Sequence, residues 1–283
     1  MDAALEALTQ RFMSQASWVV LGGAGMSTDS GIPDYRDESG QWKHAEPIQF
    51  QEFAGHALCR QRYWARSFLG WQRFSRASPN AGHEILAKLE SRGKVGALIT
   101  QNVDGLHQAA GSQSVIDLHG KLDTVRCLDC LVQFARLEFQ KSLKDSNPDW
   151  HARVFRYRAD GDAELAESSH ESFIVPGCPH CGGIAKPDVV MFGESVPRAR
   201  VETAMAAIDQ ADGLLVAGSS LMLFSGFRFV RRAVASAKPV LIINQGHTRA
   251  DDIATHKFSG NCTVGLDHLL RAVDGATART IAR

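Results

Sequence analysis

Two Cys-x-x-Cys pairs, Cys127/Cys130 and Cys178/Cys181, carry the most specific chemistry in this chain. Each pair sets two thiols on one tight turn, and four sulfur ligands complete a tetrahedral zinc site with no position left for water. Zinc held this way is structural, and one such ion is expected. A Cys-x-x-Cys can instead be a redox disulfide, and the segment between the pairs is longer than the roughly 15 to 20 residues of compact zinc modules. Redox motifs, however, come singly at a helix start, whereas Cys127-Leu-Asp-Cys130 and Pro176-Gly-Cys-Pro-His-Cys-Gly-Gly183 are turn-like. Cys59 and Cys262 stand alone, where cysteine usually serves as a small buried hydrophobe.

A closed zinc site leaves the reaction to other residues. His119 follows Asp117-Leu118 and precedes Gly120. An isolated histidine is more often structural than catalytic, but an imidazole at a strand end, facing a crevice, titrates near neutrality and can take a proton from a hydroxyl. Asn102 and Asp104 fall in polar sequence after another apolar run and would share that crevice. His83 and His107 lie in helical contexts and read as structural. There is no Gly-x-Ser-x-Gly elbow and no His-Glu-x-x-His. Ser219 and Ser220, after Gly218, suit phosphate contact better than covalent chemistry.

These residues need elements to position them. Trp18–Leu21 is a short apolar run that leads into Gly22-Gly-Ala-Gly-Met-Ser27. Strand, glycine turn and a following helix would open a dinucleotide-binding unit, with backbone N–H groups holding a pyrophosphate at the helix N-terminus. The motif is incomplete, since Thr28 stands where a third glycine would be. Ser27 and Arg36 are candidate phosphate partners. The acidic residue that closes the second strand of a dehydrogenase is missing, and Glu46 is near in number but not at a strand end. This argues against ordinary hydride transfer, and Asn244 is the better candidate for ribose hydroxyls.

Further apolar runs at 95–99, 115–118, 213–217 and 240–243 are short and unalternating, as buried parallel strands are. Each ends in polar or glycine-rich sequence, so their carboxyl ends define one crevice. Two stretches interrupt the rhythm. Residues 34–78 are rich in aromatics and arginines at helical spacing, and residues 121–186 hold both cysteine pairs and the acidic stretch from Asp160 to Glu171. The expected fold class is α/β. A Rossmann-like parallel sheet (1–34, 79–120 and 187–283) carries a helical flap with a cofactor loop (35–78) and an inserted zinc-binding small domain (121–186).

Composition is that of a globular protein, with 44% hydrophobic and 22% charged residues in 283. Thirty-one Lys and Arg balance 31 Asp and Glu, so no global field favours nucleic acid or an anionic membrane. The first residues read as a short amphipathic helix rather than a leader. Reduced thiols on zinc make the cytoplasm the expected compartment, and a monomer is the favoured state.

The blocks together resemble the sirtuins. The likeness runs from Gly22 to about Leu270, through Gly23-Ala-Gly-Met-Ser27, Gly31-Ile-Pro-Asp-Tyr-Arg36, Thr100-Gln-Asn-Val-Asp-Gly-Leu-His107, Leu118-His-Gly120, the cysteine pairs, Lys186-Pro-Asp-Val-Val-Met-Phe-Gly-Glu194, Gly218-Ser-Ser220 and Asn244. Arg60-Gln-Arg-Tyr-Trp-Ala-Arg66 and Ser225-Gly-Phe-Arg-Phe229 look like the class II branch. The resemblance implies NAD and an acylated lysine entering one cleft from opposite sides. In the family's mechanism the acyl oxygen attacks C1′ of the nicotinamide ribose and nicotinamide leaves. His119 then activates the ribose 2′-hydroxyl and the acyl group ends on ADP-ribose.

Carried over, Asn102 and Asp104 position the nicotinamide ribose and carboxamide beside Ile32. Gly23, Ala24, Gly25, Met26, Ser27, Arg36 and Ser219 hold phosphates, Asn244 the adenosine ribose, and Cys262 the adenine side. Asp34, Tyr35, Trp42, Gln101, Val103, Gly218, Ser220, Gln245 and Gly246 complete the implied cofactor surface. An acyl-lysine peptide would pair as a strand with Val189–Glu194, including Phe192 and Gly193. Lys186 and Tyr35 replace an arginine and a phenylalanine common in the family. Arg60, Tyr63 and Arg66 occupy the spacing of an acid-acyl-reading motif, and residues three apart share a helix face, so they are acyl-pocket candidates.

The expected function is an NAD-dependent protein-lysine deacylase acting on acylated-lysine proteins. A protein mono-ADP-ribosyltransferase would use the same activated ribose. A binding module, with zinc as platform and NAD as regulator, would require an idle His119.

Overall fold

The computed structural model describes residues 2–43, 47–157, 161–165 and 170–281. Glu46, and residues 160 and 166–169 of the acidic stretch, lie outside the described residues. Along the chain come α1 (Ala3–Met13), β1 (Trp18–Gly22), α2 (Phe50–Gly55), α3 (Ala57–Phe74), α4 (Ala81–Ser91), β2 (Val95–Thr100), α5 (Leu106–Ala109) and β3 (Val115–Asp117). Then follow β4 (Gly120–Cys127), β5 (Gln133–Ala135), α6 (Arg136–Ser146), β6 (Val154–Tyr157), β7 (Ala163–Leu165) and β8 (Ala185–Val189). The rest is α7 (Arg198–Gln210), β9 (Gly213–Ala217), α8 (Phe224–Ala235), β10 (Val240–Ile243), β11 (His256–Phe258) and α9 (Cys262–Ile281).

Six parallel strands form the main sheet in the order β11-β10-β9-β1-β2-β3. The chain builds outward from β1 in one direction and, after a long excursion, outward from β9 in the other. The order therefore reverses between β1 and β9, which is where open α/β sheets bind ligands. Every residue of β1, β9 and β10 is buried, because helices cover both faces. Alternation sorts the side chains. Trp18 and Val20 face a core with Leu8, Phe12, Leu86, Leu266 and Leu269, whereas Val19 and Leu21 face Ile208, Phe229 and Val230.

A smaller antiparallel sheet, β5-β4-β8, and a β6-β7 hairpin form within the excursion. The small sheet takes its outer residues, Gly120 and Val189, from the segments that flank the cysteine-bearing stretch. Helix α6 packs against this sheet, and side chains of α3 complete its core. Trp64 is fully buried, donates from Nε1 to the Ala185 carbonyl at 3.1 Å, and packs edge-on against Phe139 at 4.7 Å between centroids. Arg136 is buried without any exposure between the rings of Trp64 and Trp71, 5.1 Å from each, and donates to Gln140 at 2.6 Å. Burial pulls this guanidinium down to about 10, against the opposing influence of Tyr63 and Asp162.

The turn after β1 departs from the sequence reading. Two short 3-10 turns, Ala24–Met26 and Thr28–Ser30, replace the expected helix. Gly31 follows in the left-handed region at φ 79°, and Pro33 disfavours helical backbone at Ile32.

Buried His107 packs on His83 with ring centroids 4.7 Å apart, and neither of its ring nitrogens has a partner among the described residues. Burial, with the neighbouring His83, pushes His107 down to about 3. The unfolded chain takes up this proton near pH 6.5, and the folded protein resists it until about 3. Its contribution is present above pH 6.5 and is lost as the pH falls through that window. The denaturation midpoint should drop between pH 6.5 and 4, and His107→Leu should reduce the slope. An equal slope in the variant would contradict a neutral buried imidazole.

Candidate active site

The cleft opens at the switch point and has a volume of about 570 Å³. Its floor is a backbone contact between the loops after β1 and β9. Gly23 N–H donates to the Ala217 carbonyl at 3.0 Å, and Gly25 N–H donates to the Gly218 carbonyl at 2.8 Å. A Cβ on Gly23 would lie 2.6 Å from the Ser219 Cβ, and one on Gly25 would lie 2.9 Å from the Gly218 Cα. Gly218 itself has φ 64°, and a Cβ there would lie 2.5 Å from the Met26 nitrogen. No side chain fits at these three positions. The bare backbone this leaves is the surface a phosphate group can approach closely.

One hydrogen-bonded chain joins the glycine turn to the end of β2. Asn102 Nδ2 donates to the Gly23 carbonyl (3.0 Å) and to Ser27 Oγ (2.9 Å). The Ser27 hydroxyl donates to Asp104 Oδ2 at 2.6 Å, and Leu106 N–H donates to Asp104 Oδ1 at 3.0 Å. Both carboxylate oxygens are thereby fixed. Gln101 bridges to the other loop, donating from Nε2 to Ser219 Oγ at 2.8 Å.

His119 occupies the cleft wall beside this network. Its Nδ1 lies 3.1 Å from the Gln101 carbonyl and its Nε2 lies 3.1 Å from Ser225 Oγ. A carbonyl only accepts, so Nδ1 carries the hydrogen and the Nε2 lone pair accepts from the Ser225 hydroxyl. Burial pushes His119 down to about 4, the Gln101 carbonyl opposes this, and Arg200 and Arg228 add to it. The ring is therefore a neutral base at pH 7. It keeps some exposure, toward the cleft.

Opposite the glycine turn runs the 189–194 segment. Val190 N–H donates to the His119 carbonyl at 2.8 Å, and Phe50 N–H donates to the Phe192 carbonyl at 2.7 Å. Lys186, 4% exposed, donates to the Val189 carbonyl and, at 3.0 Å, to Glu194 Oε2, which also accepts from Met191 N–H at 2.9 Å. Burial lowers the Lys186 ammonium, and the Glu194 charge works against that. Trp42, from the loop after Arg36, packs edge-on against Phe192 at 5.5 Å and Tyr35 at 6.1 Å. The Arg36 guanidinium lies 4.0 Å over the Trp42 ring.

The structure brings most of the candidate residues to one cleft. Gly23, Ala24, Gly25, Ser27, Ile32, Asp34, Tyr35, Arg36 and Trp42 line it, as do Gln101, Asn102, Val103, Asp104, His119, Gly218, Ser219, Ser220, Asn244 and Gln245. Val189, Phe192, Gly193, Glu194 and Tyr63 line it as well. Five candidates are outside the lining. Met26 is buried beneath the turn, Gly246 packs on the Glu38 backbone, and buried Cys262 points its thiol at the Ile243 carbonyl (3.6 Å). Arg60 donates to the Phe53 and Ala54 carbonyls at the end of α2, and Arg66 pairs with Asp162 at 3.3 Å. Of that helix face only Tyr63 reaches the cleft. Ser225 stands in the sequence only within a branch-like block; its position one residue into α8, after the Gly218–Ser220 loop, is the signal that marks it.

About the cysteines, the four Sγ atoms lie within 4.8 Å of one another, with Cys127–Cys181 at 3.5 Å and Cys130–Cys178 at 3.8 Å. Zinc–sulfur bonds of about 2.3 Å give tetrahedral edges near ~3.8 Å, and a disulfide would need about 2.05 Å. Backbone N–H groups of Asp129 and Cys130 point at the Cys127 sulfur, and those of His180 and Gly183 at Cys178 and Cys181. Such donors stabilise thiolates, so the set fits one structural zinc ion.

Comparison with known proteins agrees with this geometry. The model of the Sir2 family matches residues 23–225. An NAD-dependent protein deacetylase of Xanthomonas axonopodis pv. citri (strain 306) is 55% identical over 269 residues, covering 92% of each chain. One of Bordetella bronchiseptica is 55% identical over 243 residues, covering 86% of this chain and 89% of its own. A Sir2 structure with a peptide and NAD+ superposes with a TM-score of 0.77 at 29% identity, covering 96% of this chain and 99% of that one. A Sir2 structure bound to an acetylated peptide gives 0.76 at 28% identity, covering 96% and 98%.

Two outcomes follow from the geometry. Gly218→Ala, which forces a Cβ into the Gly25–Met26 backbone at positive φ, should cost about 1–3 kcal/mol, read as a lower denaturation midpoint. Cys127→Ser should release zinc, measured by elemental analysis, and lower thermal stability. A variant that keeps full stability without metal would show that the four thiols stabilise nothing.

Proposed function

Because the chain belongs to the Sir2 family, the sirtuins, we propose that it is an NAD-dependent protein-lysine deacylase. It transfers the acyl group of an acylated lysine to ADP-ribose and releases nicotinamide. The observation that carries this reading is the neutral His119 in the cleft wall, its Nε2 lone pair held by the Ser225 hydroxyl, beside the fixed Asn102–Ser27–Asp104 chain. NAD, when bound, supplies both the electrophilic ribose carbon and the acyl acceptor.

The chain's own residues divide the remaining work. The glycine floor with Ser219 offers backbone and hydroxyl donors for phosphates, and its lack of side chains fits a pyrophosphate. Asp104, fixed at both oxygens, orients ribose or carboxamide groups. The Gln101 carbonyl holds His119 in the tautomer whose Nε2 accepts a proton from a hydroxyl, with Ser225 yielding that position. Ile32, Val103 and Phe192 supply apolar walls that keep water from the reacting centre. Val189–Glu194, braced by Lys186, is the segment proposed to pair with the substrate backbone.

The proposed division of labour keeps residues 1–34, 79–120 and 187–283 as the NAD-binding domain, 35–78 as the helical module and cofactor loop, and 121–186 as the zinc module. No helix among the described residues is long and apolar enough to cross a membrane. Acylated-lysine proteins are the proposed substrates and the reducing cytoplasm, where thiolates keep zinc, the proposed compartment, with the monomer as the working unit.

Product analysis with acetyl-lysine peptide and NAD should show O-acetyl-ADP-ribose and nicotinamide in step. His119→Ala should lower kcat by about 10²–10⁴. ADP-ribose attached to protein, without acyl transfer, would establish the transferase instead. The pH profile gives a second check. With His119 pushed down to about 4, the acidic limb of kcat/KM for free enzyme should lie well below the ordinary 6.5. A limb at 6.5 that persists in His119→Ala would assign it to another group.

A further inference from the structure

Two arginines are found among the residues lining the cleft, Arg36 and Arg228. Arg36 is committed, donating to the Gly40 carbonyl at 2.7 Å beneath Trp42. Arg228 makes no hydrogen bond or ion pair with any described residue. Its Nε is buried without a partner, and its guanidinium lies 5.4 Å over the Phe224 ring. A buried guanidinium N–H without an acceptor is costly to maintain. An anion in the cleft would remove that cost.

Helix α8 fixes where this charge stands. Arg228 follows Ser225 by three residues, so the two share a helix face, and Ser225 Oγ touches His119 Nε2. The charge of Arg228 acts on His119. The other cations around the reacting centre are spoken for: Arg200 pairs with Asp188 at 3.5 Å and Lys186 with Glu194 at 3.0 Å. Arg60 and Arg66, the cations suggested by helix-face spacing, are held by α2 carbonyls and by Asp162.

We propose that Arg228 is a specificity residue that docks a carboxylate brought in with the acyl-lysine substrate, either at the acid end of a dicarboxylic acyl chain or on an acidic side chain beside the lysine. The planar guanidinium fork matches a carboxylate with two parallel hydrogen bonds. This assignment rests on the deacylase reading and adds a substrate class to it.

The test compares wild type, Arg228→Gln and Arg228→Lys on three peptides of one sequence. These carry acetyl-lysine with neutral neighbours, glutaryl-lysine with neutral neighbours, and acetyl-lysine flanked by aspartates. In Arg228→Gln the kcat/KM ratio of a carboxylate-bearing peptide to the neutral one should fall roughly 10- to 100-fold. The change should sit mainly in the peptide KM, with partial recovery in Arg228→Lys. A fall confined to the glutaryl peptide places the carboxylate on the acyl chain, and one confined to the aspartate peptide places it on the substrate backbone's neighbours. Unchanged ratios for both, or a loss that appears as a higher KM for NAD, overturn the assignment. Failure of the deacylase reading looks different, because wild type would then form no O-acetyl-ADP-ribose from any peptide. In that event the calorimetric binding ratio of the same three peptides still decides the docking role.

Discussion

The closeness of two backbones, at the loops after β1 and β9, is the constraint on which the rest of the site depends. Gly23, Gly25 and Gly218 meet with N–H to carbonyl distances of 2.8–3.0 Å. This contact occurs where the strand order of the sheet reverses, so the two loops diverge above it and leave a cleft. Ser27 and Ser219, next to these glycines, then reach Asp104 and Gln101 on the β2 loop. Gln101 in turn orients His119. The tautomer of His119 is thus tied, through one carbonyl, to a packing contact between glycines.

Much of this was legible in the residues. The main strands are short apolar runs because helices cover both faces of the sheet, and such runs show in sequence as unbroken Val, Ile and Leu. The cysteine pairs were legible because their turn spacing is local. The position of His119 in the cleft was legible because a strand end and a glycine bracket it.

Other features depend on what lies far away in the chain. The helix expected after Ser27 gives way to 3-10 turns because Ser27 is drawn to Asp104 and Asn102, partners more than seventy residues on. The faces of α3 were periodic as expected, yet periodicity does not say which partner each face meets. Arg60 and Arg66 met carbonyls and Asp162, while Trp64 and Phe68 entered the core. Strand β8 was hidden by Lys186 and Pro187, residues that rarely signal a buried strand. It forms there because Lys186 finds Glu194 and Phe50.

The aromatic contact of Trp42 with Phe192 joins two loops that otherwise answer to different parts of the fold. Trp42 belongs to the loop continuing from the glycine turn, and Phe192 to the segment continuing from the small sheet. Ordering either loop removes part of the entropy cost of ordering the other. Two ligands that each engage one of these loops would then bind with a shared free energy, equal in both directions by linkage. The ring contact is the physical link through which such coupling would pass, even though no residue need touch both ligands.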